Sequence, residues 1–258
     1  MKELIIRTIN GLVLLILLFL IVSRGDMLLI VSVFIVSIIG LHELNSALNK
    51  IDIKPVKGLG YLFCLGLLMN SIGIKWAELD FIIFLFVIAL LVSLVLKKDI
   101  TLKDAMATVF SVLYVPFFMF HVTYLNKNIY IWLIFITAWG TDTFAYVFGN
   151  LFGKKKLCPT LSPHKTVEGS IGGIIGSIFL TYIFAKYFNL YPMSKIIVLS
   201  ILCSIMSQFG DLTASRIKRI TGIKDYGKIM PGHGGILDRF DSILFTSPIV
   251  YYYVKFFL

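Results

Sequence analysis

Apolar stretches of close to 20 residues recur along almost the whole chain, and no other feature of the sequence constrains its fold so tightly. About 20 apolar residues are what a helix needs to cross the hydrocarbon core of a bilayer. With no water in that core, each backbone N–H and C=O must be paired within the chain, which favours helices. Charged residues make up 15% of the sequence, against about 25% in soluble domains, and the mean hydropathy is +0.92. Disorder is excluded, and an ordinary cytosolic enzyme does not fit. The expected fold class is all-α: a polytopic integral membrane helical bundle.

At about 20 residues per span, helices fall near 4–23, 27–45, 58–75, 79–96, 104–125, 129–149, 169–188, 195–214 and 239–257, about nine spans. Lys2 and Arg7 before the first apolar run resemble a signal peptide, but no small-residue cleavage site follows, so that run is read as the first membrane helix. Short polar breaks separate the first six spans. Two longer segments, 150–168 and 215–238, are polar, basic and rich in Gly and Pro, and can house chemistry. The chain is therefore divided into N-terminal membrane helices over 1–128, a scaffold facing lipid, and a C-terminal catalytic membrane region over 129–258 that carries both loops.

Basic residues set the orientation. Eighteen of the 24 Lys and Arg lie at the N-terminus and in the loops after spans two, four, six and eight; the other six are Arg24, Lys75, Lys127, Lys186, Lys195 and Lys255. The positive-inside rule then puts the N-terminus and both long loops in the cytoplasm. The net charge of +10 suits an anionic leaflet and a phosphorylated substrate better than nucleic acid, and no nucleic-acid partner is expected. Lys154, Lys155 and Lys156 read as a membrane-surface anchor. The three cysteines, Cys64, Cys158 and Cys203, are widely spaced without a C-x-x-C, and are read as free thiols. Gly169 to Gly176 is glycine-rich, but no strand precedes it and no P-loop lysine follows, so Gly172 and Gly176 are assigned to close helix packing.

Four carboxylates lie in or at the ends of C-terminal spans: Asp142, Asp211, Asp238 and Asp241. The orientation above puts all four at the cytoplasmic depth of the membrane. An ionised carboxylate near hydrocarbon is seldom placed there without a partner. Asp238 and Asp241, three apart, share a helix face and repel unless a cation, a proton or an arginine intervenes. Oxygen ligands without a His/Cys cluster favour Mg²⁺. The alternative is an ion-pair network with Lys218, Arg219 and Arg239, and spacing leaves the two readings level.

The surrounding run is Ser215-x-x-Lys218-Arg219, Lys224-Asp225, Pro231-Gly232-His233-Gly234-Gly235, Asp238-Arg239-x-Asp241. Its bases can hold a polyphosphate, its glycines let backbone N–H groups approach phosphate oxygens, and its aspartates can hold a bridging metal. His233 is either a proton donor or phosphate partner, or a loop-fixing side chain. Asp225 beside Lys224 has the simpler reading of a solvated ion pair. His42 and Glu43 end span two on the same side and receive no chemical role.

The run from 215 to 241 resembles the signature of the phosphatidate cytidylyltransferases, also called CDP-diacylglycerol synthases. Trp139-Gly140-Thr141-Asp142 with Phe152-Gly153-Lys154, Ser162-Pro163-His164-Lys165-Thr166-Val167-Glu168-Gly169, and Gln208-Phe209-Gly210-Asp211 are similar to further segments of that family. Residues 1–130 resemble it only as apolar spans. The resemblance implies a multi-spanning enzyme of the inner (cytoplasmic) membrane, its site facing the cytoplasm, that joins CTP and phosphatidic acid into CDP-diacylglycerol and pyrophosphate. It implies Mg²⁺, alone or with a second cation, and, by analogy, a homodimer. Asp142, Asp211, Asp238 and Asp241 would bind the metal. Lys165, Lys218, Arg219, Lys224 and Arg239 would hold phosphates, with Ser215 and His233 nearby; Thr166, Gly232, Gly234, Gly235 and Asp225 complete the substrate-binding set. Two other readings compete: a related transferase acting on another lipid phosphate, and an ion-coupled transporter. The transporter predicts midplane charges and related halves, whereas these charges gather at one depth and no repeat is evident.

Overall fold

The computed structural model describes residues 2–229 and 234–258, with side chains from Gly11 onward. It is built of helices α1 (Lys2–Arg24), α2 (Asp26–Leu48), α3 (Lys57–Ser71), α4 (Leu79–Leu96), α5 (Leu102–Val112), the short α6 (Phe118–Phe120), α7 (Ile131–Phe152), α8 (Val167–Tyr187), α9 (Met193–Ile220) and α10 (Leu237–Phe257). Strands β1 (Lys156–Cys158) and β2 (Ser162–Thr166) pair antiparallel in a hairpin. Among the described residues, six helical runs are long and apolar enough to cross a membrane: Asp26–Ile51, Leu79–Leu96, Leu102–Leu125, Ile131–Phe152, Val167–Tyr187 and Met193–Ile220. The protein is an all-α polytopic membrane protein. Helix α3, with 15 residues, reaches only about 22 Å at 1.5 Å per residue, short of the expected 18-residue span.

Two compact units make up the chain, one of Met1–Lys127 with Ile220–Arg239, the other of Asn128–Arg219 with Phe240–Leu258. The loop that the sequence reading places with the C-terminal region thus packs largely with the N-terminal helices. One side chain on α2, described below, hydrogen-bonds to this segment.

Within the first unit, α1 passes into α2 through Gly25 alone. Its φ of +65° suits glycine, and an added Cβ would stand 2.7 Å from the Asn126 side-chain oxygen. That oxygen accepts from the Asp26 N–H at 2.9 Å, and Lys127 pairs with Asp26 at 2.7 Å. Helix α5 starts in a capping box of Thr101 and Asp104 and widens into a π turn over Leu113–Phe117. Pro116 sits inside this turn; its ring has no N–H to donate and crowds a regular α ladder. Leu12, Ile16 and Phe19 on α1 and Phe84 and Leu91 on α4 expose their side chains, the surface expected toward lipid.

The second unit is held by small residues. A Cβ on Gly172 would run into Phe148 and one on Gly176 into Phe144, while Gly173 faces the Thr141 carbonyl. Helices α7 and α8 therefore pack nearly backbone to backbone, as the glycine spacing predicts. Polar contacts run through the buried interior. The Thr141 hydroxyl donates to the Ser204 hydroxyl at 2.7 Å, and those of Ser177 and Ser200 lie 3.0 Å apart. Without water to compete, such hydroxyl pairs fix helix rotation.

Candidate active site

Three of the four expected carboxylates belong to the second unit: Asp142 on α7, Asp211 on α9 and Asp241 on α10. The charges of Asp142 and Asp211 both act on Asp241, and Lys218 opposes them. A close approach of α9 to α10 creates this neighbourhood. Gly210 faces the Asp241 main chain so closely that an added Cβ would lie 2.5 Å from the Asp241 carbonyl oxygen. The Ser242 N–H donates to Asp241 Oδ1 at 2.8 Å. Longer contacts, 3.4 Å each, run from the Ser242 hydroxyl to Asp142 and from the Ser215 hydroxyl to Asp211.

Lys165 comes to this group on β2. Its ammonium pairs with the Asp211 carboxylate, both side chains a little over a quarter exposed. The hairpin that delivers it is anchored at both ends. Thr166 caps α8 by accepting from the Gly169 N–H at 3.1 Å. The Glu168 carboxylate accepts from the N–H groups of Lys154 (3.0 Å) and Lys155 (3.2 Å). Beneath the hairpin lies a pocket of about 310 Å³, lined by Asp142, Tyr146, Asn150, His164, Lys165, Thr166, Ser170, Gln208 and Asp211 among others. Ser170 and Gln208 hydrogen-bond to each other at its wall. The arrangement offers acidic oxygens and an ammonium side by side in one cleft.

The remaining signature residues fall in two groups. Ser215, Lys218 and Arg219 lie on the last turns of α9, Lys218 half-buried and Arg219 exposed. Lys224, Asp225, Gly234, Gly235, Asp238 and Arg239 belong to the first unit. There Asp238 Oδ2 accepts from the N–H groups of Tyr226 (2.8 Å) and Gly235 (3.0 Å). The Gly235 N–H, read from sequence as a phosphate donor, is thus spent on Asp238. Gly234 has φ +81°, and an added Cβ there would meet the Asp238 carboxylate at 2.8 Å. Gly232 and His233 lie outside the described residues.

Sequence reasoning left Glu43 without a role, yet it is a buried acid of the first unit with both carboxylate oxygens engaged. It is 4% exposed on α2, and its two oxygens accept from the N–H groups of Ile236 (3.0 Å) and Leu237 (2.8 Å). The signal available in sequence was the cost of a carboxylate in an apolar span; its partners, being backbone groups, leave no mark in the sequence.

For a metal, the donors are all hard oxygens, and mutual repulsion of Asp142, Asp211 and Asp241 is what a divalent cation relieves. These residues fit Mg²⁺ in chemistry. They are not preassembled for it: among the described residues no group of three His, Cys, Asp or Glu side chains is drawn together as a metal site, and Lys165 rests on Asp211.

The model of the cytidylyltransferase family matches residues 5–257. The phosphatidate cytidylyltransferase of Staphylococcus epidermidis is 36% identical over 253 residues, covering 95% of this chain and 96% of the relative. Those of Staphylococcus haemolyticus (37% over 254 residues) and Staphylococcus aureus (36% over 255) cover the same shares. With the match running through the membrane helices as well as the acidic and basic motifs, the chain belongs to the cytidylyltransferase family.

Proposed function

We propose that this protein transfers the cytidylyl group of CTP to phosphatidic acid, releasing pyrophosphate and forming CDP-diacylglycerol, at the cytoplasmic face of the inner membrane. The observation that carries the reading is the cleft of the second unit, where Asp142, Lys165 and Asp211 stand together, in a chain whose full-length relatives bear the name phosphatidate cytidylyltransferase.

The lipid phosphate is already an anionic nucleophile, so attack on the α-phosphorus of CTP needs no strong base. The difficulty is concentrated negative charge. Mg²⁺ held by Asp142, Asp211 and Asp241, with Asp238 a further oxygen ligand by its place in the signature, would supply charge neutralisation for the triphosphate and the departing pyrophosphate. Lys165, which pairs with Asp211, is placed to reach a phosphate oxygen of a substrate bound in the cleft. Lys218, Arg219, Lys224 and Arg239 hold further phosphate oxygens, positioning the reactants and stabilising charge as it moves from the α-phosphate to the leaving group. The homodimer implied by resemblance forms part of the same reading.

The test is purified protein in mixed micelles with labelled CTP, Mg²⁺ and a panel of lipid phosphates. Labelled CDP-diacylglycerol from phosphatidic acid, with poor turnover of polyprenyl phosphates, is expected. Preference for another lipid phosphate would move the assignment to a related transferase. Absence of any CTP-dependent product would refute it.

A further inference from the structure

We infer that Glu43 is a positioning residue for the cytidylyl transfer, fixing the start of α10 and with it the Asp238 carboxylate. The inference rests on the function proposed above.

Three consecutive backbone N–H groups precede or open α10, those of Gly235, Ile236 and Leu237. All three are taken by carboxylates: Gly235 by Asp238, and Ile236 and Leu237 by the two oxygens of Glu43. A helix start ordinarily satisfies such groups with a short polar side chain next to it in sequence. Here the acceptor comes from 193 residues away. Its negative charge also suits the positive end of the α10 dipole.

The loop is built around this carboxylate. A Cβ on Gly227 or on Gly235 would collide with it, so both positions must remain glycine for Glu43 to reach its donors. One turn earlier on α2, an added Cβ at Gly40 would crowd Val115 at 3.0 Å and reach Leu237 at an ordinary 3.9 Å. Asp238 then closes the same loop through the Tyr226 N–H. The charges of Glu43 and Asp238 also act on each other, so moving one changes the field at the other. A carboxylate this buried, engaged on both oxygens by the residues just before Asp238, has a task narrower than anchoring a loop: it sets where the Asp238 oxygens lie.

The experiment uses the full-length protein in mixed micelles with CTP, phosphatidic acid and graded Mg²⁺. Glu43→Gln keeps the shape but turns one acceptor into a donor facing an N–H. Loss of a residue that orients a metal ligand lowers activity or metal affinity by about 10- to 100-fold, so kcat falls and the Mg²⁺ concentration for half-activation rises. The lost hydrogen bond also costs stability, which lowers the unfolding midpoint and leaves the protein folded at the assay temperature. Gly227→Ala, which displaces the carboxylate without removing its charge, gives the same signature, and the double variant is far less than additive. Unchanged kcat and Mg²⁺ midpoint in Glu43→Gln would overturn the proposal. So would activity that merely follows the folded fraction, or failure of both variants to fold, since either assigns Glu43 to stability alone. An inactive wild-type protein would instead refute the proposed function.

Discussion

Replacing Gly210 by alanine adds one methyl group and removes no functional atom, so its effect measures how closely α9 and α10 must approach for catalysis. The new Cβ would lie 2.5 Å from the Asp241 carbonyl oxygen, about 0.9 Å short of ordinary contact at 3.4 Å. The obstacle is main chain, which cannot swing aside as a side chain can. The two helices must part or shift by nearly that distance, carrying Asp211 and Asp241 with them. Overpacking of this kind costs about 1–3 kcal/mol, and alanine returns up to about 1 kcal/mol of helix propensity over glycine, so the variant should still fold. Activity is more sensitive: a displacement of about 1 Å among reacting groups can cost about 100-fold. The assay is the initial rate of CTP-dependent pyrophosphate release in mixed micelles, with a thermal unfolding curve on the same sample. We expect kcat to fall about 100-fold with an unfolding midpoint lowered by only a few degrees. Gly58→Ala, where an added Cβ meets nothing within 4 Å, is the control and should match wild type. A Gly210→Ala enzyme within about threefold of wild type would refute the argument that this helix contact sets the carboxylate geometry.

Three further outcomes follow. Lys156→Ala changes kcat/KM only modestly, because this side chain is exposed and is assigned to the membrane surface; complete inactivation would show that it contacts substrate. Glu168→Ala frees the N–H groups of Lys154 and Lys155, so limited trypsin digestion should cut after Lys154–Lys156 faster than in wild type, and an unchanged rate would show the hairpin is anchored elsewhere. Chelation by EDTA should abolish turnover and added Mg²⁺ restore it, whereas turnover indifferent to EDTA would remove the metal from the mechanism.

Much of the helical layout is legible in sequence because lipid imposes a simple rule: the chain must present apolar side chains outward and pair its backbone inward. The glycine run from Gly169 to Gly176 likewise announces close packing, which Phe144 and Phe148 provide. Asp142, Asp211 and Asp241 stand out because each is a carboxylate where carboxylates are costly. What sequence conceals are interactions whose partners are backbone atoms. Glu43 bonds to two N–H groups, Glu168 to two more, and Asp238 to those of Tyr226 and Gly235. For the same reason Gly235 invites a phosphate-loop reading, while its N–H serves Asp238 and its Cα faces Glu43. The β1–β2 hairpin is hidden too, being three and five residues long in a polar loop with no strong alternation. The π turn around Pro116 can be anticipated only as some break in a helix, since proline does not specify which.

The central claim is that carboxylates on α7, α9 and α10 serve cytidylyl transfer to a lipid phosphate, and its most direct test is product analysis of Asp241→Asn beside wild type. With labelled CTP, phosphatidic acid and Mg²⁺, wild-type protein should yield CDP-diacylglycerol and pyrophosphate in equal amounts. The variant, folded and monodisperse in detergent, should yield neither above background. Wild-type turnover by Asp241→Asn would contradict the account.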